Sequence, residues 1–335
     1  MGDLSKSKTT GVLLVNMGTP DAPEEEAIRR YLAQMLSDPA LISCPPFIWK
    51  RVLKYCILPK RPKKNVARYQ SFWTDDGSPY LLTSLAQGQG LERSLRTKGY
   101  DVKVALAMRY GNPSIASRLR AFMEQGLDHV VVLPMFPQET RSCTGSIFTE
   151  VNRCLSELKA EGWNPKLDFV RSYFDNPGYI DELVKSVTDH WVPLSMGESR
   201  LAISYHSTVM ADIEAGDPYR DQVEATSQLM AGKLGLTPDS WKISYQSRFD
   251  SRKWLSPLLP SVLESWAEEG IKDVCVVCPG FAADCLETSI EVDVECRQLF
   301  LSRAGQGARF TYVPALGASS GYLEALAGVL APYLG

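Results

Sequence analysis

The stretch Gly126-Leu127-Asp128-His129-Val130-Val131-Val132-Leu133-Pro134 is answered far downstream by Gly270-Ile271-Lys272-Asp273-Val274-Cys275-Val276-Val277-Cys278-Pro279, with one extra residue in the second copy. The near-continuous apolar run in each reads as a strand of a sheet covered on both faces. A second pair works outward from it. Val102-Lys103-Val104-Ala105-Leu106-Ala107-Met108-Arg109-Tyr110 resembles Trp241-Lys242-Ile243-Ser244-Tyr245-Gln246-Ser247-Arg248-Phe249, and both read as a strand ending in Arg-aromatic. The opening run Gly11 to Asn16 likewise answers Leu201 to Tyr205. The period is far too long for a solenoid, so the pattern predicts two similar α/β halves. Helical stretches at Pro113 to Gln125, Tyr179 to Val192 and Asp221 to Leu234 lie between the strands, which implies parallel sheets with right-handed crossovers.

Composition limits the function. The chain has 335 residues, 44% hydrophobic and 22% charged, with a net charge of −3, as expected for about two globular domains. No basic excess is available to neutralise phosphates, so nucleic acid is not the expected partner. Met1 to Thr10 is polar, with no apolar signal core. No run approaches the ~20 apolar residues of a membrane span. The expectation is a soluble, cytoplasmic protein. The eight cysteines are scattered, which fits reduced thiols better than a disulfide frame. Cys275-x-x-Cys278 has the spacing of half a metal site but lies in a Val-rich strand, where a buried structural pair is the simpler reading.

In open parallel sheets, ligands bind outside the carboxyl ends of the strands. Those ends carry Met17-Gly18-Thr19-Pro20, Arg109-Tyr110, Pro137-Gln138-Glu139-Thr140, His206, Arg248-Phe249 and Asp284 to Glu295. Two facing halves would bring these groups to one interdomain cleft. In the last segment Glu287, Glu291 and Glu295 recur every fourth residue, placing a row of carboxylates on one helical face. Like charges at that spacing cost stability unless a proton or a cation comes between them. Such a row, with His206, can take up protons, pass a metal ion, or do both. The plainer alternatives are a solvated helix face for the glutamates and a hydrogen-bonded structural role for His206. His129 and His190 read as structural. Arg248 matches Arg109 in the second half, or forms an ion pair.

No Asp or Glu occurs between Asp38 and Asp75. Within the segment Ala40 to Lys64, apolar residues from Pro45 to Pro59 alternate with Lys50, Arg51, Lys60, Arg61, Lys63 and Lys64. An aromatic, basic surface segment suits an anionic membrane or an apolar ligand with acidic edges. The alternative is a helix packed on its domain with a solvated basic side.

At these residues the chain resembles the ferrochelatases, which insert Fe(II) into a porphyrin at the end of haem synthesis. The markers are Asn16 to Pro20, Gly77-Ser78-Pro79, Met108 to Pro113, Pro137-Gln138 with Thr144-Gly145-Ser146, Gly216 to Tyr219, Gln246 to Phe249, and Asp284 to Thr288. The resemblance runs from about Gly11 to Leu334. It implies two similar Rossmann-like, class II chelatase-like domains with parallel four-stranded sheets flanked by helices. The expected divisions are an N-terminal domain over 8–174 with an apolar lip at about 40–64, a C-terminal domain over 175–316, and a C-terminal helix in 317–335 that packs back on the first domain.

The resemblance also assigns roles. The family's invariant histidine falls on His206 and its main carboxylate on Glu287, with a π-type helix through Glu287, Glu291 and Glu295 as a polar track. Met17, Arg109, Tyr110 and Ser146 match the porphyrin-pocket positions. Peripheral membrane contact through residues 45–58, on the inner face of the membrane, goes with the family's lip. Porphyrin and ferrous iron are the implied substrates, with no tightly bound cofactor. The cysteines that hold a [2Fe–2S] cluster in some members have no counterpart after Cys296.

Metallation requires a bent macrocycle, a dehydrated Fe(II) and the departure of two N–H protons. Histidine suits the last step. His206 is then expected to accept a pyrrole proton or briefly ligate iron, Glu287 to complete that site, Glu291 and Glu295 to relay protons or metal, and Arg109 to hold a propionate. The chain departs from the family pattern at Glu139, Thr140 and Arg141, at Thr208-Val209 where Leu-Pro is usual, and at Gly317-Ala318-Ser319. Those departures motivate the rival reading of a non-catalytic porphyrin- or haem-binding paralogue. Coproporphyrin, another tetrapyrrole or Co(II) are rival substrates.

Overall fold

The computed structural model describes residues 9–42, 44–195, 197–248 and 250–334; the sequence readings on Met1 to Lys8 and on Phe249 lie outside them. Among the described residues, eight strands form: β1 (Thr10–Asn16), β2 (Val102–Met108), β3 (His129–Pro134), β4 (Lys166–Phe169), β5 (Ser199–His206), β6 (Trp241–Gln246), β7 (Asp273–Val277) and β8 (Arg309–Val313). They make two four-stranded sheets of order β2-β1-β3-β4 and β6-β5-β7-β8, with every named pairing parallel. The orders are the same once the second set is renumbered, so the sequence repeat is a repeat of topology. The two answering runs are β3 and β7, interior strands of their sheets. Val130 to Leu133 and Val274 to Val276 are fully buried, as strands covered on both faces should be.

The helices fall near their predicted places, with shifts of up to two residues. Ile115–Glu124 starts at Ser114, whose side chain accepts from the Ser117 N–H, so Pro113 lies outside it. Pro177–His190 is capped by Asn176, and Tyr219–Lys233 follows Pro218. Among the described residues, three short π-helical stretches also occur, at Leu53–Ile57, Arg141–Gly145 and Glu291–Cys296.

The first compact unit comprises the described residues up to Met135, Arg141–Ser172 and the chain from Leu323 onward. Inside it the C-terminal segment is held by Glu324, which pairs with Lys98 at 2.6 Å and accepts from Ser94 at 2.6 Å. Gly90 permits that approach, since a Cβ there would stand 2.4 Å from Leu323 Cδ1. The second unit comprises Phe136–Thr140 and Tyr173–Tyr322. The break thus falls at Ser172 rather than 174. Tyr173 packs edge-on to Tyr179, with ring centroids 5.5 Å apart, and shares a 3.0 Å hydroxyl hydrogen bond with Tyr322. Phe136–Thr140, expected in the first domain, groups with the second unit. There Gln138 Nε2 donates to Thr226 Oγ1 (3.0 Å), the Glu139 N–H to Gln222 Oε1 (2.7 Å) and Thr140 Oγ1 to Asp217 (3.0 Å).

Among the described residues, no helix is long and apolar enough to cross a membrane. All eight cysteines are free, and Cys275 and Cys278 are core residues whose thiols burial pushes well up.

Candidate active site

In the first unit the predicted pocket residues meet around one carboxylate. Asp38 Oδ2 accepts from Arg109 Nη2 (2.5 Å), Tyr110 OH (2.7 Å) and Ser146 Oγ (2.5 Å), while Oδ1 accepts from the Ala40 N–H (2.7 Å). Arg109 Nε also donates to Ser146 Oγ at 2.7 Å. β2 ends at Met108, so Arg109 and Tyr110 leave its carboxyl end together, and Ser146 opens the helix Ser146–Ala160. Burial alone would push the Asp38 carboxyl up. The hydrogen bonds from Ser146, Ala40 and Tyr110 and the charge of Arg109 outweigh it and hold the group below the usual carboxylate range. Burial likewise pushes the Tyr110 hydroxyl up, which keeps it a neutral donor.

This network alters the expectation for Arg109. Its guanidinium is already paired with a carboxylate of its own chain, at 11% and 6% side-chain exposure. Tyr110 and Ser146 are buried. Met17 is half-exposed, and its carbonyl accepts from the Tyr110 N–H at 2.9 Å. Gly18 follows with φ +118°, and a Cβ there would lie 1.9 Å from the Tyr110 carbonyl oxygen, so this turn needs glycine.

The lip is built from the helix Pro46–Val52 and the π-helical turn Leu53–Ile57. Phe47, Ile48 and Tyr55 are 68%, 44% and 67% exposed, beside exposed Lys50, Arg51 and Lys54. The reading of an apolar side packed on the domain therefore fails for these three residues.

In the second unit His206 is the last residue of β5, not a residue beyond it, and its side chain is exposed. Its Nδ1 lies 2.7 Å from the Ser207 carbonyl, which only accepts, so Nδ1 carries a proton, and in the neutral ring Nε2 is the nitrogen that keeps a lone pair. The loop that follows is fastened. The Leu255 N–H donates to the Thr208 carbonyl (2.9 Å), Ser207 Oγ donates to the Leu255 carbonyl (3.0 Å), and Val209 bridges Trp254. Thr208-Val209 in place of Leu-Pro therefore leaves no slack.

Glu287 lies in the short helix Leu286–Ser289, before the π-helical stretch rather than within it. Asp284 anchors this helix start: its Oδ1 accepts from Tyr312 OH (2.5 Å) and Thr288 Oγ1 (2.9 Å), while Thr288 Oγ1 accepts from the Cys285 N–H (3.0 Å). The π stretch Glu291–Cys296 carries Glu291 and Glu295, and the Glu295 N–H reaches back to the Ile290 carbonyl at 2.9 Å. A turn wider than the α-helix keeps residues four apart near one line. Glu287 and Glu291 are half-buried and Glu295 is exposed, so the row runs outward to solvent. Glu291 is bound by both oxygens to Ser247, from the N–H at 2.8 Å and from Oγ at 2.6 Å. Ser247 is held at φ +64°, a costly conformation for a non-glycine residue. Among the described residues no three His, Cys, Asp or Glu side chains gather into a metal cage.

The sequence reading missed Asp38, Gln246 and Ser247. Gln246 and Ser247 were visible as polar residues directly after Tyr245 at the close of β6, and Asp38 as the last acid before a basic stretch. His129 pairs with Asp168 at 2.7 Å, and His190 Nδ1 donates to the Ser186 carbonyl at 2.8 Å, as structural histidines do.

The fold is that of a chelatase. The solved structure of SirB from Bacillus subtilis with Fe3+ superposes with a TM-score of 0.57 at 13% identity, covering 97% of this chain and 96% of that one. The ferrochelatase family model matches residues 9–333. Ferrochelatase 2 of Shewanella oneidensis is 41% identical over 334 residues, all of both chains. The ferrochelatase of Alcanivorax borkumensis is 43% identical over 321 residues, 96% of this chain and 92% of its own. This chain belongs to the ferrochelatase family, enzymes of the metal-chelatase class.

Proposed function

We propose that this chain inserts Fe(II) into protoporphyrin IX to give protohaem, with release of two protons. The observation that carries the reading is the His206 tautomer. With Nδ1–H spent on the Ser207 carbonyl, Nε2 is an acceptor at the carboxyl end of β5. It takes a pyrrole proton or briefly ligates the incoming iron. Glu287 completes that contact, and Glu291 and Glu295 carry protons or hydrated metal between it and solvent. Imidazole plus carboxylate suits Fe(II), and weak ligation lets the ion pass into the ring. No electrons change hands: two N–H bonds break, four Fe–N contacts form, and iron stays ferrous.

Met17, Arg109, Tyr110 and Ser146 are the first unit's porphyrin-contacting residues in this reading. Arg109 reaches a propionate only by sharing its guanidinium with Asp38. The exposed Phe47, Ile48 and Tyr55 favour the less acidic protoporphyrin over coproporphyrin. With Lys50, Arg51 and Lys54 they also give the lip peripheral contact with an anionic membrane surface. The fastened loop at Thr208-Val209 and the hydrogen-bonded Glu139 and Thr140 favour catalysis over a binding-only role. The test is anaerobic incubation with Fe(II) and either protoporphyrin IX or coproporphyrin III, followed by absorbance. Faster turnover of protoporphyrin supports the reading. Faster turnover of coproporphyrin, or tight porphyrin binding with no metallation, overturns it.

A further inference from the structure

Gln246 closes β6, is 1% exposed, and touches both halves of the proposed iron site without belonging to either. Through its backbone it lies opposite His206 in the parallel register of β5 and β6, and its carbonyl accepts from the Ser207 N–H at 2.8 Å. Ser207 supplies the carbonyl that orients the imidazole. Through its side chain it holds the other half: Nε2 donates to the Glu287 main-chain carbonyl at 2.8 Å. Its Oε1 accepts from Ser204 Oγ at 2.7 Å, on the same strand as His206. The Glu287 carbonyl only accepts, so it must face the amide nitrogen, and this turns Oε1 toward the Ser204 hydroxyl.

We propose that Gln246 is a positioning residue that sets the spacing between His206 and Glu287, and with it the enzyme's handling of the metal substrate. Three features of the geometry argue for this. The helix Leu286–Ser289 is a single turn, too short to hold its orientation by itself. Its beginning is fixed by Asp284 and Thr288, and Gln246 supplies the bond to its middle, at Glu287 itself. The next residue, Ser247, holds Glu291 by both oxygens, so the end of β6 registers two successive carboxylates against β5. A buried amide with both ends engaged is also rigid, as groups that orient metal ligands need to be.

The inference rests on the chelatase reading, and two readouts separate their failures. Gln246→Glu keeps the side-chain shape and the acceptor for Ser204, but turns an oxygen toward the Glu287 carbonyl. Gln246→Leu removes both bonds. In steady-state assays, kcat/KM for Fe(II) should fall about 10- to 100-fold in each variant, the range for loss of a group supporting a metal ligand. KM for protoporphyrin should stay within about twofold, since the porphyrin contacts are untouched. Independently of turnover, Co(II) added to porphyrin-free protein should give a visible ligand-field spectrum that weakens or shifts in Gln246→Glu. Unchanged Fe(II) kinetics, an unchanged Co(II) spectrum, or losses that track only the folded fraction seen by circular dichroism would overturn the proposal. Absence of turnover in the unsubstituted protein would count against the chelatase reading, leaving the Co(II) spectrum to decide on Gln246.

Discussion

Replacing Asp38 by alanine should be among the most damaging single changes in the first unit. The carboxylate accepts from Arg109, Tyr110, Ser146 and the Ala40 N–H. Its removal leaves a guanidinium of 11% side-chain exposure without its ion-pair partner. Breaking a buried pair from one side costs about 3–5 kcal/mol. For a unit of this size each kcal/mol lowers the melting temperature by about 2–4 °C, so the fall should be on the order of 10 °C. The double variant Asp38→Ala/Arg109→Met removes the orphaned charge and should recover part of the loss, giving a coupling of about 2 kcal/mol. The pH dependence has a definite sign. Asp38 is held below its usual range, so its stabilisation is complete above the unfolded-state value, about pH 4, and disappears as pH falls through the lower folded value. Thermal melts of the unsubstituted protein, both singles and the double at pH 7, with a series down to pH 3, are the assay. Asp38→Ala melting within about 2 °C of the unsubstituted protein, or a double variant no more stable than that single, would refute the reasoning.

Gly18→Ala should reduce both stability and porphyrin affinity. The new Cβ must move the Tyr110 carbonyl, at a cost of about 1–3 kcal/mol for backbone strain, read as a lower melting temperature and a weaker porphyrin fluorescence titration. Phe47→Ser/Tyr55→Ser should leave the melting temperature unchanged, because both side chains are largely exposed, while sharply lowering co-sedimentation with anionic lipid vesicles; equal sedimentation would remove the membrane role of the lip.

The fold was legible because a repeated apolar run determines a repeated topology. β3 and β7 are interior strands, as the paired sequences required, and β2 and β6 take the same edge place in their two sheets. The carboxylate row was legible from spacing. Its split between a short α-turn at Glu287 and a π stretch at Glu291 was not, because four-residue spacing puts side chains on one face in either helix. Asp38 shows the harder limit. Its partners Arg109, Tyr110 and Ser146 are far from it in sequence, and only the closing of the sheet brings the four together. Gln246 fails for a related reason. Its role depends on pairing with β5 and on a helix start that sequence cannot place to within a hydrogen bond.

The most direct test of the central claim is the rate of Fe(II) insertion into protoporphyrin IX under anaerobic conditions by the unsubstituted protein and by His206→Ala, with porphyrin binding measured in parallel. The account predicts turnover in the first, a fall of about 100-fold or more in kcat in the second, as for loss of a proton-accepting group, and porphyrin affinity retained in both. Undiminished turnover in His206→Ala would contradict it.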